Sequence, residues 1–223
     1  MDLKAVIFDL DGTLIDSMGI WADVDVEFLE KRGITPPKNI FLEIDSGNSF
    51  AEVAKYFKNR FDLPETVEEI MREWVNMVES HYENKIKLKD GVKKLLEYLN
   101  QQNIRLAVGT SNNKELTGKV LKSNSILEYF DAIVTGCQAE RGKPHPDIFL
   151  RVSERLGIKP KNCLVIEDVL VGVEAAKNAR MSVYAIDDPH AREHKAEIIT
   201  KADFFASSFY QILEKIRDTI ENK

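Results

Sequence analysis

The feature that most constrains this chain is an apolar run near its N-terminus that ends on carboxylates. Residues 5–17 read AVIFDLDGTLIDS, so four apolar residues run directly into Asp9, and Asp11 follows two positions later. A short apolar run of this kind is typical of a buried strand. Two carboxylates so close together are unfavourable unless a cation lies between them or one of them holds a proton. The segment therefore predicts a sheet with a charged site at its edge.

After residue 86 the sequence alternates between strand-like and helix-like segments. Apolar strand patterns lie at 104–110, 131–136 and 162–168, and segments with helical spacing separate them. Strands that alternate with helices form right-handed βαβ units, in which a parallel sheet carries helices on both faces. We therefore expect an α/β fold with a Rossmann-like parallel sheet.

The stretch between the first strand and this alternation has a different character. Residues 16–86 show helical spacing and no clear strand pattern, and residues 14–86 carry 15 acidic and 8 basic side chains. An inserted all-helical segment directly after the first strand explains both observations. We expect residues 1–15 and 87–223 to form the α/β core and residues 16–86 to form an inserted helical cap domain.

Composition excludes several classes of protein. Acidic residues outnumber basic ones, 37 to 31, whereas general nucleic-acid binders are usually basic. No apolar stretch approaches the roughly 20 residues that a membrane helix needs, and the first residues lack a signal-peptide pattern. The two cysteines, Cys137 and Cys163, lack the spacing of a metal or redox pair. We expect a cytoplasmic protein with both cysteines buried, as a monomer or small homo-oligomer that binds neither nucleic acid nor membrane.

Polar side chains follow the ends of four segments of the expected sheet. In open α/β sheets, ligands bind beyond the carboxyl ends of the strands. The residues expected at that edge are Asp9, Asp11, Thr110, Ser111, Lys143, Glu167 and Asp168. Acids, hydroxyls and a lysine from separate segments are therefore predicted to converge on one place.

These residue types suit a phosphate ester as ligand. A carboxylate can act as a nucleophile and divide hydrolysis into two steps. Several carboxylates together hold a hard cation such as Mg²⁺, which offsets repulsion between the nucleophile and the anionic phosphoryl group. A lysine and a hydroxyl can bind the remaining charge on the phosphoryl oxygens. A second carboxyl group can protonate the leaving oxygen.

The motifs together resemble the haloacid dehalogenase superfamily. They are DLDGT after an apolar strand, a later Thr-Ser pair, the lysine of GKPHPD and an apolar-Glu-Asp pair, in that order over residues 9–168. The most similar branch has a helical cap after the first strand and includes β-phosphoglucomutase-like phosphatases. The resemblance implies a Mg²⁺-dependent phosphatase that hydrolyses a small phosphate monoester, such as a sugar phosphate, through an aspartyl-phosphate intermediate.

The resemblance also implies residue roles in three overlapping groups. The catalytic residues would be Asp9, Asp11, Thr110 and Lys143. The phosphoryl-binding residues would be Thr110, Ser111, Asn112 and Lys143. The metal ligands would be Asp9, Asp11, Glu167 and Asp168. Asp9 would be the nucleophile, and Asp11 would be the general acid and base, with its backbone carbonyl reaching the metal.

Other activities of this superfamily fit the sequence less well. Dehalogenases lack the acid two residues after the nucleophile, so Asp11 argues against carbon–halogen cleavage. Phosphonate-cleaving members form a Schiff base with a cap lysine, and nothing singles out Lys55 or Lys58 for that role. Mutases carry an arginine after a glycine in a cap loop, but residues 39–54 contain no lysine or arginine, and Trp21 stands where mutases have a histidine. A phosphatase is therefore preferred, with a phosphosugar mutase and a non-catalytic phosphate-binding protein as alternatives.

Overall fold

Six short apolar segments form one parallel sheet. In the computed structural model, which describes residues 2–37, 40 and 50–221, the strands are Ala5–Phe8 (β1), Arg105–Thr110 (β2), Ala132–Thr135 (β3), Cys163–Glu167 (β4), Ser182–Ile186 (β5) and Phe204–Ala206 (β6). Their order across the sheet is β3-β2-β1-β4-β5-β6, and every neighbouring pair is parallel. The predicted Rossmann-like α/β fold is confirmed.

The strand order places β1 and β4 at a topological switch point. From β1 the chain builds outward through β2 and β3 on one side, and β4 to β6 build outward on the other. Phe8 pairs in register with Ile166, and the Asp9 amide donates to the Ile166 carbonyl at 3.0 Å. Because a crevice opens where the strand order reverses, the residues that follow β1 and β4 lie at the expected ligand site.

Helices cover the sheet on both faces, as parallel strands require. The α-helices described are Met18–Glu30 (α1), Phe50–Arg60 (α2), Val67–Asn84 (α3), Val92–Gln101 (α4), Lys114–Ser123 (α5), Asp147–Leu156 (α6), Leu170–Asn178 (α7), Lys195–Lys201 (α8) and Phe209–Glu221 (α9). Their bounds lie within a few residues of the helical patterns in the sequence. The helix α8 was not separately predicted.

The two faces of the sheet contact different helices because successive strand residues point to opposite sides. In β1, Val6 and Phe8 belong to a hydrophobic cluster with residues of α4, α5 and α9. Ala5 and Ile7 belong to a second cluster with residues of α6, α7 and α8. The first strand is therefore buried on both sides, as its continuous apolar run predicts.

The helices α1 to α3 lie between β1 and α4 in the chain, and we call residues 18–84 the helical insertion. An aromatic cluster holds its helices together: the Phe57 ring lies 5.0 Å from Trp74 and 6.0 Å from Phe28, between ring centroids. Among the described residues of the insertion, all regular secondary structure is helical. The helical character predicted for this stretch is thus observed, and the domain boundaries at 16 and 86 stay a prediction.

The two segments that connect the insertion to the sheet pair with each other. Ile15 and Leu88 form an antiparallel bridge. The Asp16 amide donates to the Lys87 carbonyl at 3.1 Å, and the Lys89 amide donates to the Leu14 carbonyl at 2.9 Å. The chain therefore leaves and re-enters the sheet through one narrow two-stranded connection.

Cys163 is buried, but Cys137 is exposed, so the prediction that both cysteines are buried was wrong. Cys137 lies in a single helical turn at Gly136–Gln138, directly after β3, where the chain has already left the buried strand. Within the described residues, no helix is both long and apolar enough to cross a membrane.

Candidate active site

The predicted site residues lie at the carboxyl edge of the sheet. Asp9 directly follows β1, Thr110 is the last residue of β2, and Glu167 is the last residue of β4. Lys143 precedes α6, on the connection from β3. Side chains that are usually exposed are buried here: Asp9, Thr110, Asn112, Lys143, Glu167 and Asp168. Burial of a polar group is costly unless a partner compensates for it. Burial of this many polar groups at one edge therefore indicates a functional site.

Lys143 forms the centre of a buried ion-pair network. Its Nζ lies 2.6 Å from Asp9 Oδ1 and also contacts Glu167 Oε1. Burial favours the neutral amine, but the charges of Asp9 and Glu167 outweigh this and raise the pKa of Lys143 above its usual value. The lysine is therefore a cation fixed against the carboxylate at the end of β1.

Glu167 is held by groups from three directions. Its Oε1 contacts Lys143, and its Oε2 accepts hydrogen bonds from the Asp168 amide at 2.9 Å and the Val169 amide at 3.2 Å. These amides lie at the start of α7, where backbone donors and the helix dipole favour an anion. A Cβ on Gly172, in the first turn of α7, would overlap the Glu167 carboxylate. Glycine at position 172 therefore makes room for this carboxylate.

The DGT part of the first motif contacts the carboxylate of Asp168. Thr13 Oγ1 donates to Asp168 Oδ1 at 2.6 Å. Gly12 has a φ of +81°, which favours glycine, and a Cβ at this position would overlap the Asp168 carboxylate. Gly12 and Thr13, in the loop after β1, thus pack against Asp168 at the end of β4.

The acidic group at this edge fits a hard divalent cation. Carboxylate oxygens of Asp9, Glu167 and Asp168 lie within 4.8 Å of one another, and the bonds above leave Oδ2 of Asp9 and Oδ2 of Asp168 unused. Burial raises the pKa of Asp9 to about 7, with Lys143 opposing this shift and Glu167 adding to it. Burial and the charges of Glu167 and Asp9 raise the pKa of Asp168 well above its usual value. The carboxylate oxygens of these three buried acids are ligands of the kind that Mg²⁺ prefers.

Asp11 has a different set of partners. Its Oδ1 accepts a hydrogen bond from Ser17 Oγ at 2.6 Å and another from the Tyr82 hydroxyl. Its Oδ2 accepts one from Asn112 Nδ2 at 2.8 Å. The Asp11 side chain is therefore outside the acidic group of Asp9, Glu167 and Asp168, and only its backbone carbonyl remains as the predicted metal ligand.

Tyr82 is a site residue that sequence reasoning missed. It lies in the helical insertion, where the sequence motifs place no site residue, but its fully buried hydroxyl contacts Asp11. Burial and the Asp11 carboxylate raise the pKa of Tyr82 well above its usual value, so the hydroxyl keeps its proton. Tyr82 lies 71 positions from Asp11, and no motif links the two. The sequence holds no signal from which this contact could be predicted.

The residues after β2 form a tight turn beside Asp11. The Asn112 amide donates to Thr110 Oγ1 at 3.0 Å, and Asn112 Oδ1 accepts from the Asn113 amide at 2.7 Å. The carbonyl of Ser111 accepts from the Phe50 amide at 3.3 Å, which joins the start of α2 to the core. Thr110 is thus connected to Asp11 through Asn112.

A cleft of about 360 Å³ opens between the helical insertion and the core next to this turn. Phe50 and Arg72 contribute to one wall, and Asn113 and Lys114 contribute to the other. A mutase would carry its arginine in the loop around Gly47. This loop, residues 41–49, lies outside the described residues. The observation about residues 39–54 therefore remains one of sequence alone.

Comparison with known proteins gives consistent results. The family model for haloacid dehalogenase-like hydrolases matches residues 6–186. A bifunctional riboflavin kinase/FMN phosphatase of Arabidopsis thaliana is 32% identical over 98% of this chain, which spans only 58% of that protein. A phosphorylated carbohydrates phosphatase of Thermotoga maritima is 30% identical over 79% of this chain and 82% of its own length.

Solved structures show the same architecture. The crystal structure of a β-phosphoglucomutase from Clostridium difficile matches with a TM-score of 0.83 and 25% identity, over 99% of this chain and 98% of that one. The sheet, the helical insertion and their order in the chain are therefore shared with a known protein along nearly the whole length.

Proposed function

Because the chain belongs to the haloacid dehalogenase-like hydrolase family, we propose that it hydrolyses a small phosphate monoester through a phosphoryl group carried on Asp9. It is a phosphoric monoester hydrolase in this proposal, with a sugar phosphate or similar metabolite as substrate. The observation that carries the proposal is the buried pair at the switch point, in which Lys143 holds Asp9 Oδ1 at 2.6 Å. This places a cation against a carboxylate at the edge where such sheets bind ligands.

In the first step, a carboxylate oxygen of Asp9 attacks the phosphorus atom. The bond from phosphorus to the ester oxygen breaks, and that oxygen takes a proton from Asp11. Lys143, Thr110 and the backbone after Thr110 bind the phosphoryl oxygens, on which charge is spread in the transition state. General acid assistance matters because an alkoxide is a poor leaving group.

In the second step, a water molecule attacks the phosphorus atom of the aspartyl-phosphate. Asp11, now a base, takes a proton from this water, and the bond between phosphorus and Asp9 breaks. Inorganic phosphate leaves, and Asp9 returns as a carboxylate. The same residue thus serves both steps in opposite directions, which microscopic reversibility of proton transfer allows.

We propose Mg²⁺ as the cofactor, held by Asp9, Asp168 and the backbone carbonyl of Asp11. When bound, it would supply positive charge that offsets repulsion between the nucleophile and the anionic substrate. Glu167 completes the acidic group, and its contacts with Lys143 and two amides favour a role in fixing that lysine and the loop after β4.

We further propose that residues 16–86 act as a cap and that substrate enters between cap and core. The cleft at Phe50, Arg72 and Asn113 is of a size suited to a small metabolite, and its lining does not include Asp9, Asp11 or Lys143, so it is the proposed entrance and not the catalytic centre. The excess of acidic residues in this segment disfavours a polyanionic polymer as substrate. The carbohydrate phosphatase among its relatives supports a sugar phosphate.

The test is phosphate release from a panel of sugar phosphates, nucleotides and small phosphoesters, with Mg²⁺ and with a chelator. We expect turnover that depends on Mg²⁺ and is abolished in Asp9→Asn. The matched control is Asp16→Asn, because Asp16 is exposed and lies in the same segment. Turnover that survives Asp9→Asn, or that is indifferent to the chelator, would contradict the proposal.

A phosphosugar mutase is the second candidate, because a β-phosphoglucomutase shares the fold along nearly the whole chain. The two activities separate when glucose 1-phosphate is the substrate. A phosphatase releases inorganic phosphate, whereas a mutase produces glucose 6-phosphate faster than it releases phosphate. A non-catalytic phosphate-binding protein would bind phosphoesters without releasing phosphate from any of them.

A further inference from the structure

The Tyr82 hydroxyl lies where the helical insertion meets the core. Tyr82 is near the end of α3 and is fully buried. Its oxygen lies 2.8 Å from Trp21 Nε1 and 2.9 Å from Asn112 Nδ2, and it also contacts Asp11 Oδ1. One hydroxyl therefore joins two residues of the insertion to two residues of the core.

The chemistry of these groups fixes the direction of each hydrogen bond. The indole Nε1 of Trp21 can only donate. Asn112 Oδ1 accepts from the Asn113 amide, which orients the side-chain amide so that its Nδ2 donates to both Tyr82 and Asp11. With both acceptor positions of the Tyr82 oxygen filled, its single proton is left for Asp11.

The result is a carboxyl group held by three donors from three parts of the chain. Ser17, before α1, and Tyr82, in α3, donate to Oδ1 of Asp11, and Asn112, after β2, donates to Oδ2. Donors on both oxygens fix the plane of the carboxyl group as well as its position. A group that must transfer a proton to one particular oxygen gains from such orientation.

We propose that Tyr82, oriented by Trp21 and Asn112, is a positioning residue for Asp11. The inference rests on the proposed function, in which Asp11 is the general acid and base. Tyr82 does not touch the substrate in this proposal. It acts through Asp11, and because it belongs to the helical insertion, it makes the orientation of Asp11 depend on the packing of the insertion against the core.

The test compares p-nitrophenyl phosphate with phenyl phosphate in Tyr82→Phe. The two esters share a ring, but the nitrophenolate leaves readily without a proton, whereas phenolate needs one. We expect the first-turnover rate with phenyl phosphate to fall by about ten- to a hundredfold, part of what a general acid contributes. We expect the first-turnover release of nitrophenol to change less than about twofold.

Two further variants make the result specific. Tyr184→Phe removes the hydroxyl of another buried tyrosine, whose oxygen lies 3.3 Å from Thr219 Oγ1 in α9 and does not contact Asp11, and should leave both rates unchanged. Trp21→Phe removes one donor to Tyr82 at a partly exposed position and should shift the ratio of the two rates in the same direction as Tyr82→Phe, by less. The Trp21 variant keeps the inference testable if Tyr82→Phe does not fold.

Four outcomes are decisive. A selective loss with phenyl phosphate supports the inference. An equal loss with both esters, or no loss with either, overturns it, because a purely structural tyrosine would not change the leaving-group dependence. Wild-type protein that hydrolyses neither these esters nor any ester of the panel overturns the proposed function, and the inference with it.

Discussion

Gly172→Ala is expected to destabilise the protein through the active site, although the substitution lies in a helix where alanine is normally favourable. The added Cβ would overlap the Glu167 carboxylate, and Glu167 would have to leave its place between Lys143 and the amides of Asp168 and Val169. Breaking a buried ion pair costs about 3–5 kcal/mol.

The net effect follows from two opposing contributions. Replacing glycine by alanine within a helix stabilises it by at most about 1 kcal/mol. The gain in helix stability offsets about 1 kcal/mol of the cost of displacing Glu167. The free energy of unfolding should therefore fall by about 2–4 kcal/mol. The catalytic rate should fall as well, because Lys143 loses one of the two carboxylates that fix it.

The chain offers a matched control in Gly118→Ala. Gly118 lies within α5, and a Cβ there would meet no atom within 4 Å, so only the gain in helix propensity remains. We expect this variant to be more stable than wild type by up to about 1 kcal/mol. Both variants are compared by urea unfolding followed by far-ultraviolet circular dichroism. If Gly172→Ala unfolds at the same urea concentration as wild type or above it, the packing of Glu167 against α7 is refuted.

Three further substitutions test burial and charge elsewhere. Burial raises the pKa of Asp25 in α1 to about 7, so Asp25 should lower the stability of wild type as pH rises from about 4 to about 7. Asp25→Asn should remove this contribution and, in urea unfolding across pH, exceed wild type by up to about 4 kcal/mol above pH 7. Lys89 Nζ lies 2.5 Å from Oδ2 of the buried Asp188, so Lys89→Met should lower the free energy of unfolding by about 3–5 kcal/mol at pH 7. Because the pKa of Asp188 is lowered, this loss of stability, measured by urea unfolding, should shrink below about pH 4. Phe57→Ala should cost about 3–5 kcal/mol, and a calorimetric melting temperature equal to that of wild type would contradict the packing of the insertion.

Local patterns predicted most of the fold because each strand carries its own signal. Residues 5–8 and 163–166 are continuous apolar runs, and a parallel sheet buries such runs on both faces. The positions of Asp9, Glu167 and Asp168 then follow from strand ends that share one edge. That is why the sequence alone predicts that carboxylates from separate segments lie together.

The partners of these groups could not be predicted because they depend on side-chain direction and on distant packing. The sequence indicated that Lys143 lies near the site. It did not indicate that Glu167 forms an ion pair with Lys143 while accepting from the amides at the start of α7. The contact of Tyr82 with Asp11 depends on how α3 packs against the core, which no local pattern encodes. The expectation for Cys137 was wrong because Cys137 lies in the helical turn after β3, where the chain has already left the buried strand.

The central claim is that Asp9 carries the phosphoryl group during turnover. The most direct measurement is acid quenching of protein and substrate in the first turnover with Mg²⁺, followed by peptide mapping by mass spectrometry. We predict a phosphoryl group on the peptide that contains Asp9, transient in wild type and absent in Asp9→Asn. Phosphate release in the first turnover without phosphorylation of that peptide at any quench time would contradict the account.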